Sequence, residues 1–320
     1  MSDPAAPADL SRVRTFPLAA RAHKVSLAEF ARPVDPRGTV AEFLDGLPKV
    51  LGAESIRGLA SAVVAARGAG RPVLFAMGAH VIKVGLAPVL IQLIDAGLIN
   101  GIAVNGACAI HDWEIAAVGG TSEDVAGALH HGRFGMAEET GRELNDAARE
   151  AQKNGRGFGD VLGERISTSA LPHRDMSLLG RAYSAGVPVT IHVAVGSDVV
   201  HQHPRADGAS IGAATFTDFR RLVTLVSGLS GGVWINCGSA VQLPEVFLKA
   251  LSIAQNLGVD VSGFVTANLD MIRHYRTDEN VLRRPTFGRG TSFSVTGQHE
   301  IILPLLAASI FLEQSRRAIP

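Results

Sequence analysis

Five short apolar runs, each closed by small or polar residues, limit what this chain can fold into more than any other feature. They read "RPVLFAMGAH" (71–80), "INGIAVNGA" (99–107), "VPVTIHVAVG" (187–196), "GGVWINCGSA" (231–240) and "VSGFVTAN" (261–268). Runs of this length bounded by Gly and Pro are the signature of fully buried strands. The segments after them carry apolar residues at helical spacing: "VIKVGLAPVLIQLIDAG", "IHDWEIAAVG", "FTDFRRLVTLVSGL" and "LPEVFLKALSIAQNLG", the last with Pro near its start. Another such stretch, Val40 to Arg67, predicts one or two helices ahead of the first strand. Strands alternating with helices imply crossover units. The expected fold is therefore α/β, a parallel Rossmann-like sheet with helices on both faces. No internal repeat or clean linker appears, so residues 36–320 read as one nucleotide-binding domain, with a polar helical excursion around 130–170. Residues 1–35, rich in Ala and Pro, read as an N-terminal arm.

Composition removes several classes of function. Thirty basic and thirty acidic residues cancel, so no net field favours nucleic acid or an anionic membrane. Two cysteines, Cys108 and Cys237, exclude a disulfide framework and predict a reducing cytoplasm. The first residues lack the apolar core of a signal peptide, and the most apolar stretches are broken by Gln92 and Asp95 before they could span a bilayer. The chain has no G-x-G-x-x-G, no G-x-x-x-x-G-K-[ST], no G-x-S-x-G and no H-E-x-x-H.

In open parallel sheets ligands bind beyond the carboxyl ends of the strands. Those ends here are "GAH" (78–80), "NGACAIHD" (105–112), "GSDVVHQH" (196–203), "NCGSA" (236–240) and "TANLD" (266–270), all rich in small and polar residues. Asn105-Gly106-Ala107 joins a strand to a helix start, where backbone amides favour an anion; the same residues also suit a plain tight turn. His111 and Asp112 follow and read either as an acid/base pair or as first-turn helix residues. Cys108 beside them is a weaker nucleophile candidate than a small buried residue. The His201-x-His203 pair, with Asp198 before it and Asp207 after it, lines the pocket as wall or acid/base groups; the alternative is that it holds a divalent metal, with His80 and His192 nearby. Asn236, Ser239, Asn268 and Asp270 supply hydrogen-bonding groups or caps.

The segment from Leu74 to Ile115 resembles deoxyhypusine synthase. That family pairs a Thr-Ser-Asn turn with a Thr-Thr-Ala-Gly-Gly-Val-Glu-Glu turn, where this chain has Gly78-Ala79-His80 and Asn105 to Asp112. "VPVTIHVAVGSD" is similar to the family's Ile-Pro-Val strand that ends in a cofactor-contacting aspartate, and "SVTGQHEIILPLLAASIFLE" to its C-terminal segment. The likeness runs in chain order over about residues 40–315 and implies an NAD-binding Rossmann-like sheet. By it the cofactor contacts are Ala79, His80, Asn105, Gly106, Ala107, Asp198, Asn236, Ser239, Ala267, Asn268, Gly297 and Gln298, with His111, Asp112, His201 and His203 left for catalysis. It also implies a homotetramer with sites shared between subunits, and the apolar "IILPLLAASIF" and the N-terminal arm suit burial on a neighbour.

The family's catalytic lysine is missing. It lies in a Trp-Gly-Lys run, where this chain reads "DMIRHYRTDENVLRRPTFGRG" with no lysine. Arginine cannot substitute, because a guanidinium with a pKa above about 12 forms no Schiff base. The expectation is an NAD-dependent enzyme on a small polar substrate, an amine among the options, that does not make deoxyhypusine. The alternatives are a metal-dependent hydrolase or lyase at the His-x-His pair, and a non-catalytic nucleotide-binding relative.

Overall fold

A computed structural model describes residues 5–318. The chain divides into two compact units, one up to Val50 and one from Leu51 onward. The first unit holds three short single-turn helices and α1 (Val40–Gly46). A reciprocal cap starts α1: Thr39 Oγ1 accepts from the Glu42 amide at 3.2 Å, and Glu42 accepts from the Thr39 amide at 2.7 Å.

The second unit is a six-stranded, all-parallel sheet in the order β3-β2-β1-β4-β5-β6. The strands are β1 (Val73–Met77), β2 (Gly101–Asn105), β3 (Val189–His192), β4 (Val233–Cys237), β5 (Val265–Asp270) and β6 (Thr291–Thr296). The helices are α2 (Leu51–Gly68), α3 (His80–Lys83), α4 (Ala87–Asp95), α5 (Gly106–Val118), α6 (Val125–Leu129), α7 (Glu138–Asn154), α8 (Phe158–Ser167), α9 (Leu178–Ser184), α10 (Gly208–Ser227), α11 (Gln242–Asn256), α12 (Tyr275–Thr277) and α13 (His299–Ala318). Alternation along each strand feeds two cores. Val73, Phe75 and Met77 face one core with α2, α4, α5 and α13, while Leu74 and Ala76 face a second with α10 and α11. In the second core Trp234 stacks on Phe247 with centroids 4.1 Å apart. The expected α/β class and its five strands are present.

Three features depart from the sequence reading. "VIKVGLAPVLIQLIDAG" is two helices, because Gly85 takes a left-handed φ of +77° and Pro88 opens the second. The sixth strand, β6, carried no apolar run; it is an edge strand with mostly exposed or half-buried residues. The C-terminal helix α13 buries Ile302, Leu303, Leu306, Ala307 and Ile310 in the first core of its own chain, so those residues need no neighbour to cover them. Among the described residues no helix is long and apolar enough to cross a membrane.

Candidate functional site

Strand order reverses between β1 and β4, so the turns that follow these strands leave in opposite directions. Gly78 and Gly238 meet there. A Cβ on Gly78 would lie 2.1 Å from the Gly238 carbonyl oxygen, and one on Gly238, at φ +64°, 2.9 Å from the His299 ring. Only glycine permits this approach. Around it, Asn236 Nδ2 donates to the Ser239 carbonyl at 3.0 Å and to Asn268 Oδ1 at 2.7 Å, leaving Asn236 Oδ1 buried without a donor. Ser239 Oγ accepts from the Leu243 amide and starts α11.

His299 is fully buried. Its Nε2 lies 3.4 Å from the Leu269 carbonyl and 3.9 Å from Asp270, so Nε2 carries the proton and Nδ1 is a bare acceptor with no partner. Burial holds His299 below the ordinary imidazole range, with Asp270 pulling the other way. The half-buried His80 ring sits 5.4 Å from it. Sequence reasoning placed His80 at this edge but gave His299 no role; its signal was the polar "GQHE" closing β6. Ala79 precedes α3, Gly297 donates its amide to the Asp270 carbonyl, and Gln298 is exposed at the start of α13. Ala267 does not reach this edge: it is wholly buried inside β5, between Ile235 and Phe293.

At the other half of the edge, Asn105 caps its own helix, its Oδ1 accepting from the Cys108 amide at 3.0 Å. Ala107 follows in the first turn of α5. At Asn105-Gly106-Ala107, the place expected for an anion, the Asp198 carboxyl lies on Gly106, where a Cβ would come within 2.0 Å of its Oδ2. That oxygen is buried without a partner, and burial pushes the carboxyl up to about 6. His201 Nδ1 accepts from the Gly196 amide at 3.2 Å, and burial lowers its pKa. His192 is buried on Thr190, its pKa pushed down to about 3. Burial raises both cysteine thiols, so neither Cys108 nor Cys237 is poised as a thiolate.

Three expected catalytic residues lie elsewhere. Asp112 is fully buried and accepts from the Ser177 hydroxyl and the Leu178 and Leu179 amides, the last two at 2.7 and 3.1 Å, and so holds the start of α9. His203 packs on Gly141 and lies 3.0 Å from Glu138, pinning α7 to the β3 loop. Because His201 and His203 engage different partners, they do not converge as metal ligands. No three metal-binding side chains gather among the described residues. His111 hydrogen-bonds Thr121 at 2.6 Å, on the outer side of α5.

No family model and no curated protein matches this chain. Solved structures do. A conserved putative LOR/SDH protein from Methanococcus maripaludis S2 is similar at 17% identity and TM-score 0.52, over 82% of this chain and 68% of that one. AgrE, in its ternary complex with ornithine and NAD+, is similar at 13% identity and TM-score 0.51, over 83% of this chain and 34% of that one. ArgZ, a cyanobacterial arginine dihydrolase, is similar at 16% identity and TM-score 0.50 over 83% of this chain. The chain spans about a third of the length of ArgZ and AgrE. A putative deoxyhypusine synthase from Entamoeba histolytica is similar at 10% identity and TM-score 0.48, too loose to assign a family. At these identities the likeness is one of fold: an α/β architecture common to several kinds of protein.

Proposed function

We propose that this chain is an NAD-dependent enzyme that acts on a small polar, amine-bearing substrate at the carboxyl edge of its sheet, and that it is not a deoxyhypusine synthase. The observation that carries the reading is the strand-order reversal between β1 and β4, the place where open parallel sheets bind ligands. The residues there suit a dinucleotide. At the Gly78–Gly238 contact backbone meets backbone with no side chain between, and Asn236 Oδ1 is a buried acceptor without a donor, a role for a ribose hydroxyl. Gly78, Ala79, His80, Ser239, Asn268, Gly297 and Gln298 would complete the hold. AgrE, similar in fold, is found in complex with ornithine and NAD+, and a point mutant of it with L-arginine, which supports the cofactor and an amine substrate.

When bound, NAD supplies a hydride acceptor. The chain then has to remove a proton. His80 is the imidazole that a substrate at this edge can reach, and His299 behind it is held by Asp270 and the Leu269 carbonyl with Nδ1 free to accept. A lysine-bound imine has no place in this scheme. Lys249, the nearest lysine in sequence to the lysine-free segment after β5, is paired with Glu245 on the outside of α11. The test is to heat purified protein, analyse the supernatant for NAD, and titrate NAD into stripped protein by calorimetry. Released nucleotide or a saturable heat is expected; the absence of both would sink the proposal.

A further inference from the structure

A cavity of about 950 Å³ lies on the outer side of α5, away from the strand ends, between the turn at 119–123, the start of α7 and the end of α8. One wall is apolar: Trp113, Ala117, Val118 and Leu171. The other carries four carboxylates, Glu114, Glu123, Glu139 and Glu143, against two guanidiniums, Arg142 and Arg165. Both guanidiniums are already neutralised. Arg165 donates to Glu143 at 2.6 Å and to Glu150 at 3.1 Å, and Arg142 lies 3.3 Å from Glu143 and 3.5 Å from Glu138. An anionic ligand would therefore have to displace an existing carboxylate.

The remaining carboxylates face the cavity without a cationic lysine or arginine. Glu114 Oε1 accepts from Thr140 at 3.1 Å, and its Oε2 accepts from Thr121, which in turn takes a hydrogen bond from His111 Nδ1. Burial works against its charge, but these hydrogen bonds outweigh it and hold the carboxyl below its usual range. Glu123 accepts only the Gly135 amide, at 2.8 Å, and Glu139 has no partner among the described residues. The volume and the apolar wall are independent of these charges, and together they fit the size and lining of a small-molecule site.

We propose that this cavity binds a small organic cation, an ammonium or guanidinium group on a short apolar chain, with the charge among Glu114, Glu123 and Glu139 and the chain along Trp113, Ala117, Val118 and Leu171. This site is separate from the NAD reading and stands or falls without it. The experiment is calorimetric titration of n-pentylguanidine and n-pentylamine into the protein, with pentanoate and pentanol as matched anion and neutral probes. Saturable binding of the cations is expected, weakening as salt is added, with the other two probes at least about tenfold weaker. The Glu123→Gln/Glu139→Gln double variant, changed only at exposed positions, should weaken the cations at least about tenfold, while His80→Ala should leave them unchanged. Glu139→Gln alone gives the same direction of change should the double variant not fold. Equal binding of pentanoate, unchanged binding in the glutamine variants, or no saturation by about 10 mM ligand would overturn the proposal.

Discussion

Asp218 shows what one buried carboxylate does in this fold. Its Oδ2 accepts the Gly159 and Ile191 amides, both at 2.8 Å, and so ties α10 to the start of α8 and to β3, while Oδ1 is buried without a partner. Burial pushes its pKa up to about 7, against those hydrogen bonds and the nearby Arg221. A carboxyl whose folded pKa exceeds its unfolded value binds a proton more tightly when folded. Its contribution to stability is full below the unfolded value of 3.8 and is lost as pH rises through about 7. Asp218→Asn keeps one acceptor oxygen and cannot titrate. The stability of the parent minus that of the variant should therefore shrink between about pH 4 and about pH 8, by on the order of a few kcal/mol. Buried His192 works in the opposite sense, because its folded pKa is lowered, but it is present in both proteins and cancels in the difference. Urea unfolding across this range reads the effect. A difference that stays flat would mean that Asp218 is not held protonated.

Two elements make sharper statements about sequence and structure. His111-Asp112 read either as acid and base or as first-turn charge, but α5 begins at Gly106 and puts both in its second turn. What separates the two is α9, placed more than sixty residues later so that its first amides meet Asp112. Asp112→Ala strips the acceptor from one hydroxyl and two amides. It should cost about 2–4 kcal/mol in chemical unfolding, with NAD affinity unchanged in the folded fraction. A fully stable variant that had lost turnover would return Asp112 to the catalytic list. The β1 turn makes the converse case. Gly78→Ala drives a methyl to within 2.1 Å of backbone, the Gly238 carbonyl, so the β1 and β4 ends must part. The expected outcome is loss of the NAD titration heat together with a lower unfolding temperature. Normal NAD binding in this variant would place the dinucleotide somewhere other than the crevice.

For the whole molecule, uncovered apolar surface bears on assembly. Most of the C-terminal helix no longer argues for a partner, since Ile302, Leu303, Leu306, Ala307 and Ile310 are covered within the chain. Exposed apolar residues do follow several strand ends: Val195 beyond β3, Val241 beyond β4, Ile272 beyond β5 and Ile301 beyond β6. They predict an assembly of like chains that covers this rim, with the homotetramer expected from the sequence as its form. Light scattering should give a mass near four times the 33.5 kDa chain, and Ile272→Glu with Ile301→Glu should lower it. A parent mass near one chain would refute both the assembly and any sharing of the site between subunits.

The sequence alone determined the fold class and five of the six strands, because a buried parallel strand must be apolar on both faces and its neighbours must be helices. It also determined that small and polar residues stand in the turns after those strands, and that no lysine stands in the segment after β5. It could not show β6, whose exposed edge needs no apolar run, nor the break between α3 and α4, which depends on one left-handed glycine. The order of the strands belonged to the tertiary structure, because apolar runs carry no record of which neighbour they pair with. That order brings Gly78, Gly238, His80, His299 and Asp270 together from separate parts of the chain. It also sends Asp112 and His203, adjacent in sequence to plausible partners, into structural hydrogen bonds elsewhere. Residue type and local spacing fix what a side chain can do; packing over long sequence separations decides what it meets.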